Sequence, residues 1–339
     1  MNATINLEKH FPVLLNELVS IISPLYGGTF IDCTFGAGGY SKKILEYSLN
    51  NIVALDRDNS VNSVANQFHT KYKKRFKFYN KKFSDINQIK EDNIKAIIFD
   101  LGYSLNQISD LNRGISFNSK GKLDMRMGLN DFSCDDVISK MSQESLFKIF
   151  KYFGDEKYAK PISKKIVQLR KNKKIKTENL VQIIEGVKKK KSGKNKSTKV
   201  FQALRIFVNK EITELIYGLI KAYNILPVGG IIAVVTFHSI EDKIVKFFFK
   251  EYSEVKNSSR YLPKSISTKR YFNLTRKKPI VPSSGEININ PPSRSAKLRF
   301  AFKLENGCNF KKFVNNFNYL KDIETVSYTH LTLPTKLTV

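Results

Sequence analysis

The chain has 339 residues, 41% of them hydrophobic, enough for one large globular domain or two smaller ones with real cores. Its 58 Lys and Arg against 30 Asp and Glu leave a net charge of +28, so polyanions, nucleic acid first among them, are the expected partners. Crowding by Asn, Ile and Tyr is also what AT-rich codon usage produces, and that usage inflates Lys without a functional reason. Cys33, Cys134 and Cys308 stand far apart, with no C-x-x-C and no His at ligand spacing. That pattern argues against a disulfide framework or a zinc site and fits a reducing cytoplasm.

In chain order, MNATINLEKHF lacks the apolar core of a signal peptide, and the longest strongly apolar stretch, IIAVVTF at 231–237, is too short to span a membrane. No export and no membrane partner are expected. Apolar runs bounded by turn signals recur at 29–34, 51–55, 75–79, 95–99 and 230–237, and helix-compatible segments such as YSKKILEYSL and SVNSVANQFHTKY lie between the early ones. That alternation predicts an α/β protein with a parallel, doubly wound sheet.

The rhythm stops after residue 104, and about a hundred residues of loop-like and helical sequence follow before the sheet resumes at GIIAVVTF. The expected organisation is a first part of the sheet domain over 1–105, an inserted helical substrate-recognition domain over 106–205, and a second part of the sheet domain over 206–304. A tail follows over 305–339. KKKKSGKNKSTK at 188–199 reads as a basic loop, either solvated or in contact with RNA. The stretch 255–285 reads as irregular and SAKLRFAFKL as a final strand, while VSYTHLTLPTKLTV at 326–339 departs abruptly from what precedes it and reads as non-native.

The chemistry concentrates at TFIDCTFGAGGYSKKIL (29–45). A glycine turn between strand and helix suits a nucleotide, but after Gly36 and Gly38 the third glycine of a dinucleotide fingerprint would fall on Ser41. An ordinary tight turn is the bland alternative. The next strand ends in Asp56, placed as an acid that accepts from ribose hydroxyls, and the fourth in Asp100. Asp32, the glycines, Asp56 and Asp100 should therefore gather along one edge, although each acid alone could be a helix cap. A ligand with a ribose but no phosphate fits acids and glycines, and S-adenosylmethionine, with its sulfonium and ammonium charges, is such a ligand.

KHFPVLLNE (9–17), DCTFGAGGY (32–40), DLGYSLNQ (100–107), RGISF (113–117), LDMRM (123–127), FQALRIFVNKE (201–211), TFHSIEDKIVK (236–246) and PPSRSAKLR (291–299) resemble, in order, the motifs of the bacterial ribosomal RNA small subunit methyltransferase H family. The resemblance spans about residues 9–303. It implies a Rossmann-like class I fold with an inserted helical domain. It also implies S-adenosyl-L-methionine as cofactor and N4-methylation of a decoding-centre cytosine in 16S rRNA, within the small ribosomal subunit. Beside Gly36 of the turn, it implies cofactor contacts at Gly38, Gly39, Tyr40, Asp56, Phe83, Asp100 and Gln107. The family commonly has His at Tyr40 and Ser at Leu105, and PPSRS replaces its usual proline-arginine start at Pro292.

The loop after the fourth strand, DLGYS, has no cysteine for a covalent C5 route, and amino methylation needs chiefly positioning of the two reactants. Asp100 or a carbonyl of that loop is the candidate acceptor for the amino N–H groups. His238 could line the base pocket or hydrogen-bond the backbone, and His10 carries the same ambiguity. Asp124 and Arg126 could meet RNA or pair with each other; Arg294, Lys297 and Arg299 could hold phosphates or be solvated charges on one strand face. A catalytically weak rRNA-binding assembly factor and an NAD oxidoreductase remain as rival readings. Oligomeric state is open.

Overall fold

The structure, a computed structural model, describes residues 12–103, 107, 110–119, 121–130, 132–188, 195–254 and 269–332, with side chains omitted at 112 and 326–332. His10, Leu105, residues 189–194 of the KKKKSGKNKSTK loop, residues 255–268 and residues 333–339 lie outside the described residues. The chain forms two compact units, one from residues up to Gly102 together with Glu214–Asn315, the other from Tyr103–Thr213 together with the chain from Asn316 on.

The first unit is built on a seven-stranded sheet of β1 (Gly28–Asp32), β2 (Asn50–Asp56), β3 (Phe76–Asn80), β4 (Ile94–Asp100), β5 (Ile231–Thr236), β6 (Phe272–Asn273) and β7 (Lys297–Lys303), in the order β3-β2-β1-β4-β5-β7-β6. The first five strands run parallel, and β7 joins β5 antiparallel. This is the Rossmann-like class I arrangement. β1 and β5 are buried at every position, which is why they read as unbroken apolar runs: helices cover both faces of a parallel sheet. β7 is only partly covered, buried at Leu298, Ala301 and the Lys303 stem and half-buried at its other positions. The 255–285 stretch departs from its irregular reading at β6, whose two residues pair with β7 and are too few to show a period.

From β1 the chain winds outward to β2 and β3 on one side and to β4 and β5 on the other. The reversal lies between β1 and β4, where an open α/β sheet presents a crevice at its carboxyl ends. On the β3 side, Phe35 packs against Phe68 and Phe76 with ring centroids 5.2 and 5.4 Å apart, so the turn after β1 is anchored by an aromatic cluster.

The second unit is helical, with no strand among its described residues. Ser133 and Asp136 form a reciprocal capping box on the Cys134–Lys140 helix, and Ser142 caps Gln143–Gly154. The LDMRM loop is pinned by Asn209, whose Oδ1 accepts from the Met127 amide at 2.9 Å and whose Nδ2 donates to the Met125 carbonyl at 2.8 Å. Arg205 pairs with Glu211 through two 2.9 Å contacts. Glu324 accepts from the Ile212 and Thr213 amides at 3.1 and 2.9 Å, closing the open N-terminus of the Glu211–Ile225 helix.

Candidate active site at the carboxyl edge of the sheet

Register places three acids together. Asp32 ends β1 opposite Ala54 of β2 and Ile98 of β4, and Asp56 and Asp100, each two residues further on, end those strands. Asp32 is fully buried, accepting from the Ser41 hydroxyl at 2.7 Å and the Thr34 amide at 3.2 Å. Burial nevertheless pushes its carboxyl up to about 6. Ser41 therefore stands where a dinucleotide fingerprint has its third glycine because its hydroxyl holds this acid.

Asp56 accepts from the Gly36 amide at 2.8 Å and the Asp58 amide at 2.9 Å, and burial pushes it too up to about 6. Asp100 is tied at its backbone, its amide donating to Thr34 Oγ1 at 2.7 Å. Its side chain differs: Oδ1 is buried and has no hydrogen-bond partner. Burial, then the charges of Asp32 and Glu241, raise this carboxyl well above the ordinary range.

The glycine turn is shaped largely by the protein itself. Gly36 and Gly38 have positive φ, 52° and 75°, conformations glycine adopts freely. Their amides are engaged within the fold, Gly36 to Asp56 and Gly38 to the Phe35 carbonyl at 2.7 Å. A Cβ on Gly38 would lie 2.6 Å from Phe68, and one on Gly39 2.2 Å from Pro12. On the Cβ side of Gly36 the nearest atom is the Thr34 carbonyl at 3.8 Å. Gly38 and Gly39 thus leave room for Phe68 and Pro12, and the open flank belongs to Gly36. Tyr40 is buried, its hydroxyl donating to the Val13 carbonyl. The Tyr40 side chain thus closes onto the segment before the Leu15–Ile22 helix.

Phe83 opens a 3-10 turn, Phe83–Gln88, and meets Phe99 edge-on at 5.4 Å. Gly218 admits it, since a Cβ there would lie 2.6 Å from the ring. His238 is the N-cap of the Ser239–Ser253 helix: Nδ1 accepts from the Glu241 amide at 3.4 Å, while Glu241 accepts from the His238 and Phe237 amides. Its Nε2 lies 3.0 Å from Glu241 Oε1, too far off line for a hydrogen bond. The ring orders the loop after β5.

Lys297 and Arg299 both reach Asp242, at 3.0 and 2.7 Å, whereas Arg294 is exposed. Gln107, Asp124 and Arg126 belong to the second unit. Gln107 is buried there, and Arg126 binds both oxygens of Asp124 at 2.7 and 2.8 Å. Sequence reasoning missed Thr34, Ser41 and Glu241. For Glu241 the sequence carried no capping-box signal, because the residue three positions before it is His238 rather than Ser or Thr.

The residues at this edge fit a cationic cofactor. Three clustered acids carry raised proton affinity and one has an orphaned oxygen; an ammonium or sulfonium charge would lower the cost of ionising all three. Cys33, at the same edge, is buried and its thiol is pushed well above its ordinary range by burial and by Asp32, so it is no nucleophile.

The family model of the MraW methylases matches residues 7–304. The chain is 39% identical over 301 residues to the ribosomal RNA small subunit methyltransferase H of Rickettsia africae (strain ESF-5), covering 87% of this chain and 98% of that protein. To the protein of the same name in Bartonella quintana (strain Toulouse) it is 38% identical over 304 residues, covering 89% of this chain and 91% of the relative.

Proposed function

The chain belongs to the MraW methylase family and has S-adenosylmethionine as its cofactor, and from that premise we propose that it methylates small-subunit ribosomal RNA, at N4 of a decoding-centre cytosine in 16S rRNA. The names of its relatives support the RNA class. The observation that carries the amino target is Asp100, a buried acid at the tip of β4 with an unpartnered Oδ1.

The cofactor, when bound, supplies a methyl group activated on a sulfonium. Asp56, anchored by the Gly36 and Asp58 amides, keeps free lone pairs for the ribose hydroxyls. Phe83 offers its ring to the adenine, and the Gly36 flank admits the ligand close to the backbone. Asp100 Oδ1 accepts from an N–H of the cytosine amino group, which turns the nitrogen lone pair out of conjugation and toward the methyl carbon. Once the methyl is transferred the nitrogen is strongly acidic, and the raised proton affinity of Asp100 suits it to take that proton at Oδ1. DLGYS offers no cysteine, and Cys33 is buried as a neutral thiol, which favours the amino nitrogen over a covalent route to C5. Asp124, Arg126 and Arg294 are assigned to RNA only as members of family motifs, and His238 to ordering the loop rather than to proton transfer.

The test incubates the protein and labelled cofactor with small subunits lacking the modification and with their naked rRNA, followed by nucleoside analysis. N4-methylcytidine is the expected product. Another methylated nucleoside would overturn the target, and RNA binding without transfer would favour the assembly-factor reading.

A further inference from the structure

A second concave surface lies at the other end of the same sheet. A cavity of about 830 Å³ is enclosed by the outer face of the Ser239–Ser253 helix, the segment around β6, and β7. Its floor is apolar, with Phe249 and Phe272 fully buried. Its walls are basic: Lys246 and Lys250 stand one helical turn apart on one side, and Arg270, Arg276, Lys277 and Lys278 on the other. Arg299 closes the end, held by Asp242 and by the Lys277 carbonyl at 3.1 Å.

Among the described residues, Glu254 is the one acid lining this cavity, and it sits 4.0 Å from Lys250. The four cations of the far wall are exposed and have no acidic side chain in ion-pair reach among the described residues. So many like charges around one concavity repel one another, and the concave shape concentrates their field. They are stable there only in high dielectric or opposite a polyanion.

We propose that this groove is a phosphodiester-binding track for RNA, separate from the acid-lined edge where the base is methylated. Asp100 is level with Val235 and Leu298, whereas β6 pairs at Lys303, so the two sites are about 14 Å apart across the sheet and about 16 Å apart along the strands, a span that a few nucleotides of one RNA strand can bridge. The division of labour follows charge: the carboxyl edge is acidic and cannot hold phosphates, whereas the β6–β7 edge gathers the cations. Phe249 and Phe272 give the track a dry floor, and phosphates line its rim. This inference rests on the rRNA reading for the identity of the chain it holds.

The test compares wild type with the triple variant Arg276→Ala, Lys277→Ala, Lys278→Ala, and with Lys246→Ala, Lys250→Ala on the opposite wall. All five side chains are exposed, and cofactor affinity serves as the check on folding. Binding to a labelled 16S rRNA fragment is measured across salt concentrations by fluorescence anisotropy, with polyglutamate as competitor. The triple variant should lose roughly ten-fold in affinity at physiological salt, and its log–log salt slope should fall by about 2, as three lost phosphate contacts require. An unchanged affinity and slope would overturn the groove while leaving methylation intact. RNA binding lost in the variants, in a wild type that methylates no rRNA, would support the groove and sink the proposed reaction. No RNA binding by wild type, or a groove that takes polyglutamate in preference to RNA, would overturn the proposal.

Discussion

The Gly36 amide donates to Asp56 Oδ2 across the mouth of the sheet at 2.8 Å, so the acid assigned to the ribose also fixes the glycine turn. Asp56→Ala should therefore remove a ligand contact and a turn anchor together. We expect cofactor affinity to fall roughly ten- to hundred-fold, the equivalent of about 1.5–3 kcal/mol for hydrogen bonds to a charged group, while far-UV circular dichroism is retained. Calorimetric titration giving wild-type affinity would remove Asp56 from the site.

Asp100→Asn separates stability from function. Because the folded protein disfavours the charged carboxylate, the neutral amide relieves a strain on the ligand-free protein, and the melting temperature should rise at pH 7. Methyl transfer should drop at least ten-fold, because the amide cannot take the proton and its acceptor strength is reduced. A variant that is both more stable and fully active would show that the carboxylate plays no part.

The turn glycines should respond differently to alanine. In Gly39→Ala the new methyl meets Pro12 at 2.2 Å, an overpacking expected to cost about 1–3 kcal/mol of folding free energy in urea titrations. Gly36→Ala has space but an unfavourable φ of 52°, and should cost about 1 kcal/mol while weakening cofactor binding more than Gly39→Ala does. Equal losses of stability at the two positions would contradict this packing.

Glu324 supplies a pH dependence of known sign. Burial raises its carboxyl from an ordinary 4.5 to about 8 in the folded protein. The folded state then holds the proton more tightly than the unfolded chain, so the contribution of Glu324 to stability is fully present below about 4.5 and is lost as pH rises toward about 8. The slope is at most about 1.4 kcal/mol per pH unit. Melting temperatures of wild type should fall more steeply across that window than those of Glu324→Gln. Parallel curves would show that Glu324 does not titrate there; Asp32 and Asp56, present in both proteins, cancel in the comparison.

Much of the sheet was legible because a parallel strand covered on both faces is a short apolar run, and because acids at the ends of three such runs fall on one edge whatever the details of packing. The same reading could not tell what the glycines accommodate. Gly38 and Gly39 look like ligand-facing residues in a fingerprint, yet Phe68 and Pro12 fill the space beside them, and those contacts are tertiary. Lys297 and Arg299 looked available for phosphates because their partner Asp242 is more than fifty residues away in the chain. His238 showed no helix-capping signature in its residue type alone, and its role emerged only with Glu241 in place.

The central pairing of the sheet has a history written into it. Asp100 of β4 lies beside Val235 of β5, and everything from Leu101 to Gly230, including the Tyr103–Thr213 part of the helical unit, is threaded between them. During synthesis at ordinary ribosomal speeds that stretch takes on the order of ten seconds to emerge. Throughout that interval the apolar edge of β4, with Ile97, Ile98 and Phe99, lacks its neighbour. An unpaired hydrophobic strand is a template for pairing with the wrong chain, and pairing so distant in sequence is slow to form. The nascent protein is therefore most exposed to aggregation and to chaperones after its first four strands are made and before its fifth arrives.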